Sequence, residues 1–278
     1  MNRKTLLSIA NTPVESLPGL LESLLPGMKP GWAKAARKFL AFLSDGVPRF
    51  SVFVKGNGKL PFWAFSCLPI VTCPGAGDCL NWCYSLRAFR YPDAFFRQLQ
   101  NTVLLRLHPE AVAAAFRRIP DGCVVRLYVD GDIETVPILS FWQELCRERG
   151  DLSVYGYSKS WELFLAYRGE WAENYTLNLS GGSRYGEEMK AKMRTLPVVR
   201  GEFLAFPSTV KAPKRDGKTG KVVKGDWLAY KRSVEASAKL RGFDKVFVCP
   251  GLCGFCSNGK HACGNRRFDG VAIAIGIH

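Results

Sequence analysis

The chain is 278 residues long and 47% hydrophobic, with 39 Lys+Arg against 24 Asp+Glu and a formal charge of +15. That is enough apolar sequence to bury a core unaided, which argues against a small disulfide framework, and a charge of this size favours a polyanionic partner over a neutral metabolite. Apolar runs such as 271–275 fall far short of a bilayer span, and Leu6 and Leu7 are followed too soon by Asn11, Pro13 and Glu15 for a signal-peptide apolar region. The expectation is a cytoplasmic protein with nucleic acid, DNA or RNA, as partner and no membrane.

Residues 1–48 read as a helical appendage. Thr12-Pro13-Val14-Glu15 has the pattern of a capping box with Pro at the first helical position, and Trp32, Ala35, Ala36, Phe39, Leu40 and Leu43 recur at helical spacing until Asp45-Gly46. Lys34, Arg37 and Lys38 fall on the opposite side, either as a basic face for a phosphate backbone or as an ordinary solvated face. From Arg49 the period shortens: 50–54 and 62–65 read as strands around an Asn57-Gly58 hairpin turn. One long helix is predicted over 84–107 and another over 110–119, closed by Asp121-Gly122. Strand-like runs at 124–129, 153–157, 175–179, 203–206 and 246–248 then alternate with helical stretches at 138–149, 161–172 and 187–193. This predicts an α/β core over 49–248 with crossover connections and a mainly parallel sheet of about six strands, a partial or closed (β/α) barrel.

Residues 211–232 interrupt the alternation. Lys211, Lys214, Arg215, Lys218, Lys221, Lys224, Lys231 and Arg232 surround Asp216-Gly217 and Thr219-Gly220 turn signals, with Trp227 and Tyr230 among them. Cations interleaved with aromatics suit a groove in which phosphates are neutralised while bases stack; a surface loop with no partner has the same composition.

Seven of the ten cysteines form two groups: Cys73-x₅-Cys79-x₃-Cys83, and Cys249-x₃-Cys253-x₂-Cys256-x₆-Cys263 in the terminal segment 249–278. Gly, Pro, Asn and Asp fill the gaps, including Ser257-Asn258-Gly259, so the backbone can wrap thiolates around a centre. Iron-sulfur clusters and structural zinc both use such ligands; three thiols leave one metal position open, and His261 could replace Cys263 in a Cys₃His zinc site. With His108 and His278 as the remaining histidines, a two-histidine metal site is not expected. Cys67, Cys123 and Cys146 stand alone in apolar surroundings and read as packed thiols. Asp130, Asp132 and Glu134 offer paired carboxylates for a metal, or caps for the helix after Pro137. Lys159, and Ser180 with Asn178, Gly181 and Gly182, stand at strand ends, where barrels place their chemistry.

A strand feeding a three-cysteine loop, a long helix, and then Tyr128-Val129-Asp130-Gly131-Asp132-Ile133-Glu134 resembles the N-terminal half of radical S-adenosylmethionine enzymes. The resemblance implies that Cys73, Cys79 and Cys83 hold a [4Fe-4S] cluster and that Gly131, Asp132, Glu134, Lys159 and Ser180 seat S-adenosylmethionine. It further implies that the C-terminal set is an auxiliary cluster, giving one or two clusters in all. The usual motif in that superfamily is C-x₃-C-x₂-C, from which the first group here departs. Thr72-Cys73-Pro74-Gly75-Ala76-Gly77-Asp78-Cys79, with Cys83-Tyr84, Asn101, Gly131-Asp132 and Tyr155-Gly156-Tyr157-Ser158-Lys159-Ser160, is also similar to the phage and plasmid gene-product-eighty-eight family, over about residues 58–265. Two functions follow as expectations: an iron-sulfur protein with a radical-enzyme-like barrel that binds or modifies nucleic acid, or a non-catalytic replication or host-interference factor stapled by iron-sulfur or zinc.

Overall fold

A computed structural model of the chain describes residues 1–56, 60–256 and 261–277. Helices α1 (Arg3–Asn11), α2 (Leu17–Leu24) and α3 (Pro30–Asp45) come first. α3 starts on Pro30, whose missing N–H costs nothing in a first turn, and stops where Gly46 takes a left-handed φ of 72°. Trp32, Ala35, Ala36, Phe39 and Phe42 are buried, while Lys34, Arg37 and Lys38 are exposed. The capping box does not form: Thr12 Oγ1 donates to the Ser8 carbonyl, and a short 3₁₀ turn (Val14–Ser16) follows without a side-chain cap.

The first predicted strand is mostly held in another way. Only β1 (Val54–Lys55) pairs, with β2 (Trp63–Ala64), while Phe50 and Val52 are tied to amide side chains of α4 (Pro92–Leu107). Gln100 accepts from Arg49 N and Phe50 N at 2.7 and 3.0 Å and donates to Phe50 O; Asn101 donates to Val52 O and Ser66 O. The Asn57-Gly58 turn lies outside the described residues. The predicted 84–107 helix is two pieces, a 3₁₀ segment (Tyr84–Arg90) and α4, because Pro92 lacks the N–H that a continuous helix would need. α5 (Pro109–Arg117) completes this layer.

The alternating part then runs β3 (Val124–Leu127), α6 (Val136–Glu148), β4 (Ser153–Ser158), α7 (Trp161–Ala166), β5 (Tyr175–Ser180), α8 (Glu187–Arg194) and β6 (Val199–Pro207). A small hairpin, β7 (Lys214–Arg215) with β8 (Val222–Lys224), leads into α9 (Trp227–Lys239), β9 (Val246–Val248) and β10 (Ala272–Ile277). Among the described residues eight strands form one sheet, in the order β1-β2-β3-β4-β5-β6-β10-β9, parallel except at the β1–β2 edge. β1 and β9 are its opposite ends, so strand pairing closes no barrel among these residues. The sequence reading also omitted β10, an Ala-Ile-Ala-Ile run that inserts between β6 and β9.

Both faces of the sheet are covered, as parallel strands require, and their side chains alternate between the two. Val125, Leu127, Val154, Tyr175, Leu177 and Leu179 join the large core beneath helices α1 to α8. Phe206, Val248 and Ala274 pack with Tyr230 and Val234 of α9. The opposite, inner face presents Val124, Tyr155, Tyr157, Phe203, Phe247 and Ile273, and the chain's own cysteine-rich segment lies on it.

Candidate metal-thiolate centres and basic hairpin

None of the ten cysteines is in a disulfide. Seven of them stand on the two sides of one structural boundary, the carboxyl ends and the inner face of the parallel strands.

The first loop is laid across the ends of β4 and β5. Gly77 N donates to Gly182 O at 3.0 Å, Arg184 N to Gly75 O at 3.0 Å, and Ala76 makes an isolated antiparallel bridge with Ser183. Ser183 Oγ donates to Gly75 O and Lys159 O. Glycine is required here by contact: a Cβ on Gly75 would lie 1.8 Å from Lys159 O, and one on Gly77 2.7 Å from Arg184 N. Two non-glycine residues with positive φ border the loop, Ile70 (74°) and Tyr128 (53°), the kind of outlier that collects at functional sites.

Cys73, Cys79 and Cys83 are electrostatic neighbours, together with Lys159 and Asp132. Burial pushes the Cys73 thiol up to about 12, and Asp132 adds to this while Lys159 opposes it. Cys79 is likewise raised by burial against Lys159. Lys159 Nζ donates to Ser180 Oγ at 2.9 Å, which unites two residues predicted to share a site.

The acidic turn after β3 has other partners. Asp132 is buried, and its carboxylate accepts from Ser158 Oγ, Lys159 N and Ile133 N, each at 2.7 Å. Burial nonetheless raises its pKa above the ordinary 3.8. Glu134 is gripped by Arg106 through two guanidinium nitrogens. Asp130 accepts from Gln98 Nε2 at 2.9 Å. None of the three caps α6, whose first turn is capped by Thr135 Oγ1 at Ile138 N. Gly131, at φ 81°, lets the turn press onto Thr72, whose Oγ1 would be 2.8 Å from a Cβ.

The second set sits on the inner face. Cys249, Cys253, Cys256 and Cys263 are mutual electrostatic neighbours, and burial pushes Cys249 up to about 12 and Cys263 up to about 11. Backbone N–H donors point at two of the sulfurs, Gly251 N at Cys249 (3.4 Å) and Ala262 N at Cys256 (3.3 Å), while the Tyr157 hydroxyl opposes the burial-driven rise of the Cys263 thiol. Residues 257–259 of the connecting loop lie outside the described residues. His261 is buried between Phe62 and Tyr155, with ring centroids 4.9 and 4.7 Å away, and its Nε2 has no hydrogen-bond partner. Among the described residues no three His, Cys, Asp or Glu side chains are drawn in tightly enough to hold a single metal ion as they stand.

Three residues that secure this region escaped the sequence reading or were read only as strand-end residues. Arg200 is 1% exposed and donates through Nε to Asn178 Oδ1 at 2.7 Å and through Nη1 to Phe268 O and Val271 O, nailing the cysteine-rich segment to β5 and β6. Asn178 Nδ2 donates to Cys263 O at 2.7 Å. Arg126 lies 4.6 Å over the Tyr157 ring, within electrostatic reach of Tyr84 and of Cys253. Its signal was the strand alternation, since Val125 and Leu127 turn to the helices and the residue between them turns inward. Cys67 and Cys146 are buried as expected, and Cys123 is partly so.

The predicted basic insert is a hairpin and then a helix. Lys211, Lys214, Lys218, Lys221, Lys224 and Arg232 are exposed. Lys231 lies 3.5 Å from Glu235, and the Arg215 guanidinium stacks 4.6 Å over Trp227 while donating to Gly220 O. Tyr230 is not a platform for bases: it is 1% exposed, and its hydroxyl accepts from Gly276 N at 2.8 Å. No helix among the described residues is long and apolar enough to cross a membrane.

A family model described as gene product 88 matches residues 51–232, more than half of the chain. The matched span contains the first cysteine loop and the basic hairpin; the C-terminal thiols lie beyond it. No curated protein and no solved structure matches the chain.

Proposed function

This chain belongs to the gene product 88 family, and for it we propose a nucleic-acid-binding protein built around metal-thiolate centres, with the C-terminal set serving as a structural iron-sulfur centre. The carrying observation is the four neighbouring thiols on the inner sheet face with backbone N–H donors aimed at two of the sulfurs. Such donors stabilise thiolate charge and tune a bound centre. Four cysteine thiolates form the ligand set that iron-sulfur clusters take. Because the buried thiols keep their protons in the metal-free chain, loading must release them. The six exposed cations of the hairpin and α9 supply the phosphate contacts.

Anaerobic purification followed by iron, sulfide and zinc analysis with electron paramagnetic resonance tests the centre. Iron with sulfide is expected, reduced in Cys256→Ser; stoichiometric zinc alone, or no metal, would overturn the iron-sulfur assignment. Titration of a fluorescent single strand over a range of salt tests the partner.

The second reading is a radical S-adenosylmethionine enzyme on a partial barrel, favoured by the placement of the first loop at the carboxyl ends of β4 and β5 beside the Lys159–Ser180 pair. In it Cys73, Cys79 and Cys83 would hold a [4Fe-4S] cluster that, once reduced by an external electron donor, would supply the electron for reductive cleavage of the cofactor. Lys159 and Ser180 would orient the cofactor carboxylate, and Gly131, Asp132 and Glu134 would line the approach. The internal bonds already made by Asp132 and Glu134 favour the non-catalytic reading. Release of 5′-deoxyadenosine by reduced protein would reverse that preference.

A further inference from the structure

A cavity of 220 Å³ lies between the basic hairpin and the turn after β9. It has room for about seven waters at ~30 Å³ each, the bulk of one nucleobase and too little for two. Its walls include Pro213, Pro250, Leu252 and Ile275, which are apolar and offer no competing acceptor from their side chains. One charged group lines it, Arg215. That guanidinium is fixed by its stack on Trp227 and by the bond from Nη1 to Gly220 O, yet its Nε is buried with no acceptor. Held in this way, the side chain brings N–H donors to the wall of a cavity whose other walls are largely apolar, where an acceptor on a ligand can meet them. Outside, Lys214 and Lys224 face each other across the β7–β8 register and are both exposed, with Lys211 nearby in sequence.

We infer that this cavity takes a single unpaired base from a nucleic-acid strand. The inference rests on the nucleic-acid reading above and adds to it where the base goes. Every base carries ring-nitrogen or carbonyl acceptors that can receive an N–H of the Arg215 guanidinium, and the prolines, Leu252 and Ile275 give its faces an apolar enclosure. The flanking phosphates then fall to Lys211, Lys214 and Lys224. Cys249 also lines the cavity, so the bound base lies against the C-terminal thiol set. This places the hairpin and the cysteine segment, which are separate in sequence, on one ligand.

The test compares an eight-nucleotide thymidine strand with an abasic deoxyribose-phosphate strand of equal charge, using metal-loaded full-length protein and fluorescence anisotropy. The thymidine strand should bind roughly tenfold more tightly, as expected for one enclosed base. Arg215→Lys, which keeps the charge, and Ala212→Trp, which fills the cavity from its exposed rim, should each erase the difference and leave the salt slope intact. Equal binding of the two strands by the parent protein, or an undiminished preference in both variants, overturns the base site while the phosphate contacts stand. Absence of salt-dependent binding by either strand overturns the nucleic-acid reading itself, and this inference with it.

Discussion

Asn178 and Cys263 are 85 positions apart in sequence and joined by a 2.7 Å hydrogen bond from the Asn178 amide to the Cys263 carbonyl. The same side chain accepts from Arg200 Nε at 2.7 Å, so one buried amide on β5 sets both the height of the last cysteine over the sheet and the direction of a buried guanidinium. The C-terminal thiol set is therefore positioned by the sheet interior rather than by its own loop.

Asn178→Ala should strip the Cys263 tether and leave the Arg200 Nε unsatisfied. A loss of roughly 3 kcal/mol is expected, since a buried group without its partner costs ~1–3 kcal/mol and a charged one more. Urea midpoints measure the loss. Hydrogen exchange should show lost protection at Ala262 to Asn265 before the β4–β5 amides; uniform loss across the sheet would contradict the tether.

Gly75→Ala should undock the first cysteine loop, because the added methyl carbon meets the Lys159 carbonyl at 1.8 Å. Overpacking of this kind costs about 1–3 kcal/mol. Gly19→Ala on the exposed side of α2, where a Cβ meets nothing within 4 Å, should instead stabilise the protein by roughly 0.5–1 kcal/mol. Equal midpoints for the two variants would show that the loop is not docked as described.

The acid limb of stability should depend on Asp151. The Arg149 guanidinium and the Gly122 N–H hold its carboxyl down at about 2, against an ordinary 3.8. The folded protein therefore releases this proton more readily than the unfolded chain. The resulting stabilisation is complete above the unfolded value and is lost as the pH falls from about 3.8 through 2. Asp151→Asn should flatten urea midpoints in that window relative to the parent and leave their pH dependence above it unchanged.

Lys214→Ala combined with Lys224→Ala removes two exposed cations that pair across the hairpin. The slope of log affinity against log salt for a single strand should fall by about 1.4, at ~0.7 per phosphate contact. Lys34→Ala with Arg37→Ala, on the exposed side of α3, serves as the control and should leave the slope unchanged. A reversed pattern would move the phosphate track to the N-terminal helices.

Much of the layout was legible in the chain. The alternation from Val124 onward gave the parallel strands and their crossover helices, because a strand buried on both faces reads as a nearly continuous apolar run, as in β5. The 50–54 run misled for the opposite reason: its β-like residues are buried, but Gln100 and Asn101 satisfy its backbone instead of a neighbouring strand. β10 was hidden by the cysteine-rich turns before it, and its Ala-Ile alternation acquires a strand's meaning only beside β6 and β9. In the basic segment, charge density marked the hairpin correctly, yet composition could not separate Trp227, which keeps a partly open ring against Arg215, from Tyr230, which is buried under the sheet.

The sequence by itself determined the thiol inventory, the surplus of positive charge and the repeating strand-helix order, since ligand type, net charge and hydrophobic period are properties of residues in line. Only the tertiary structure decided the strand order of the sheet, that Asp132 and Glu134 spend their carboxylates on Ser158, Lys159 and Arg106, and that Arg126 stacks on Tyr157 within reach of Cys253. Those outcomes depend on which side chains meet across crossovers tens of residues long. Local propensity carries no information about such meetings, because they are fixed by burial and by the pairing of buried polar groups.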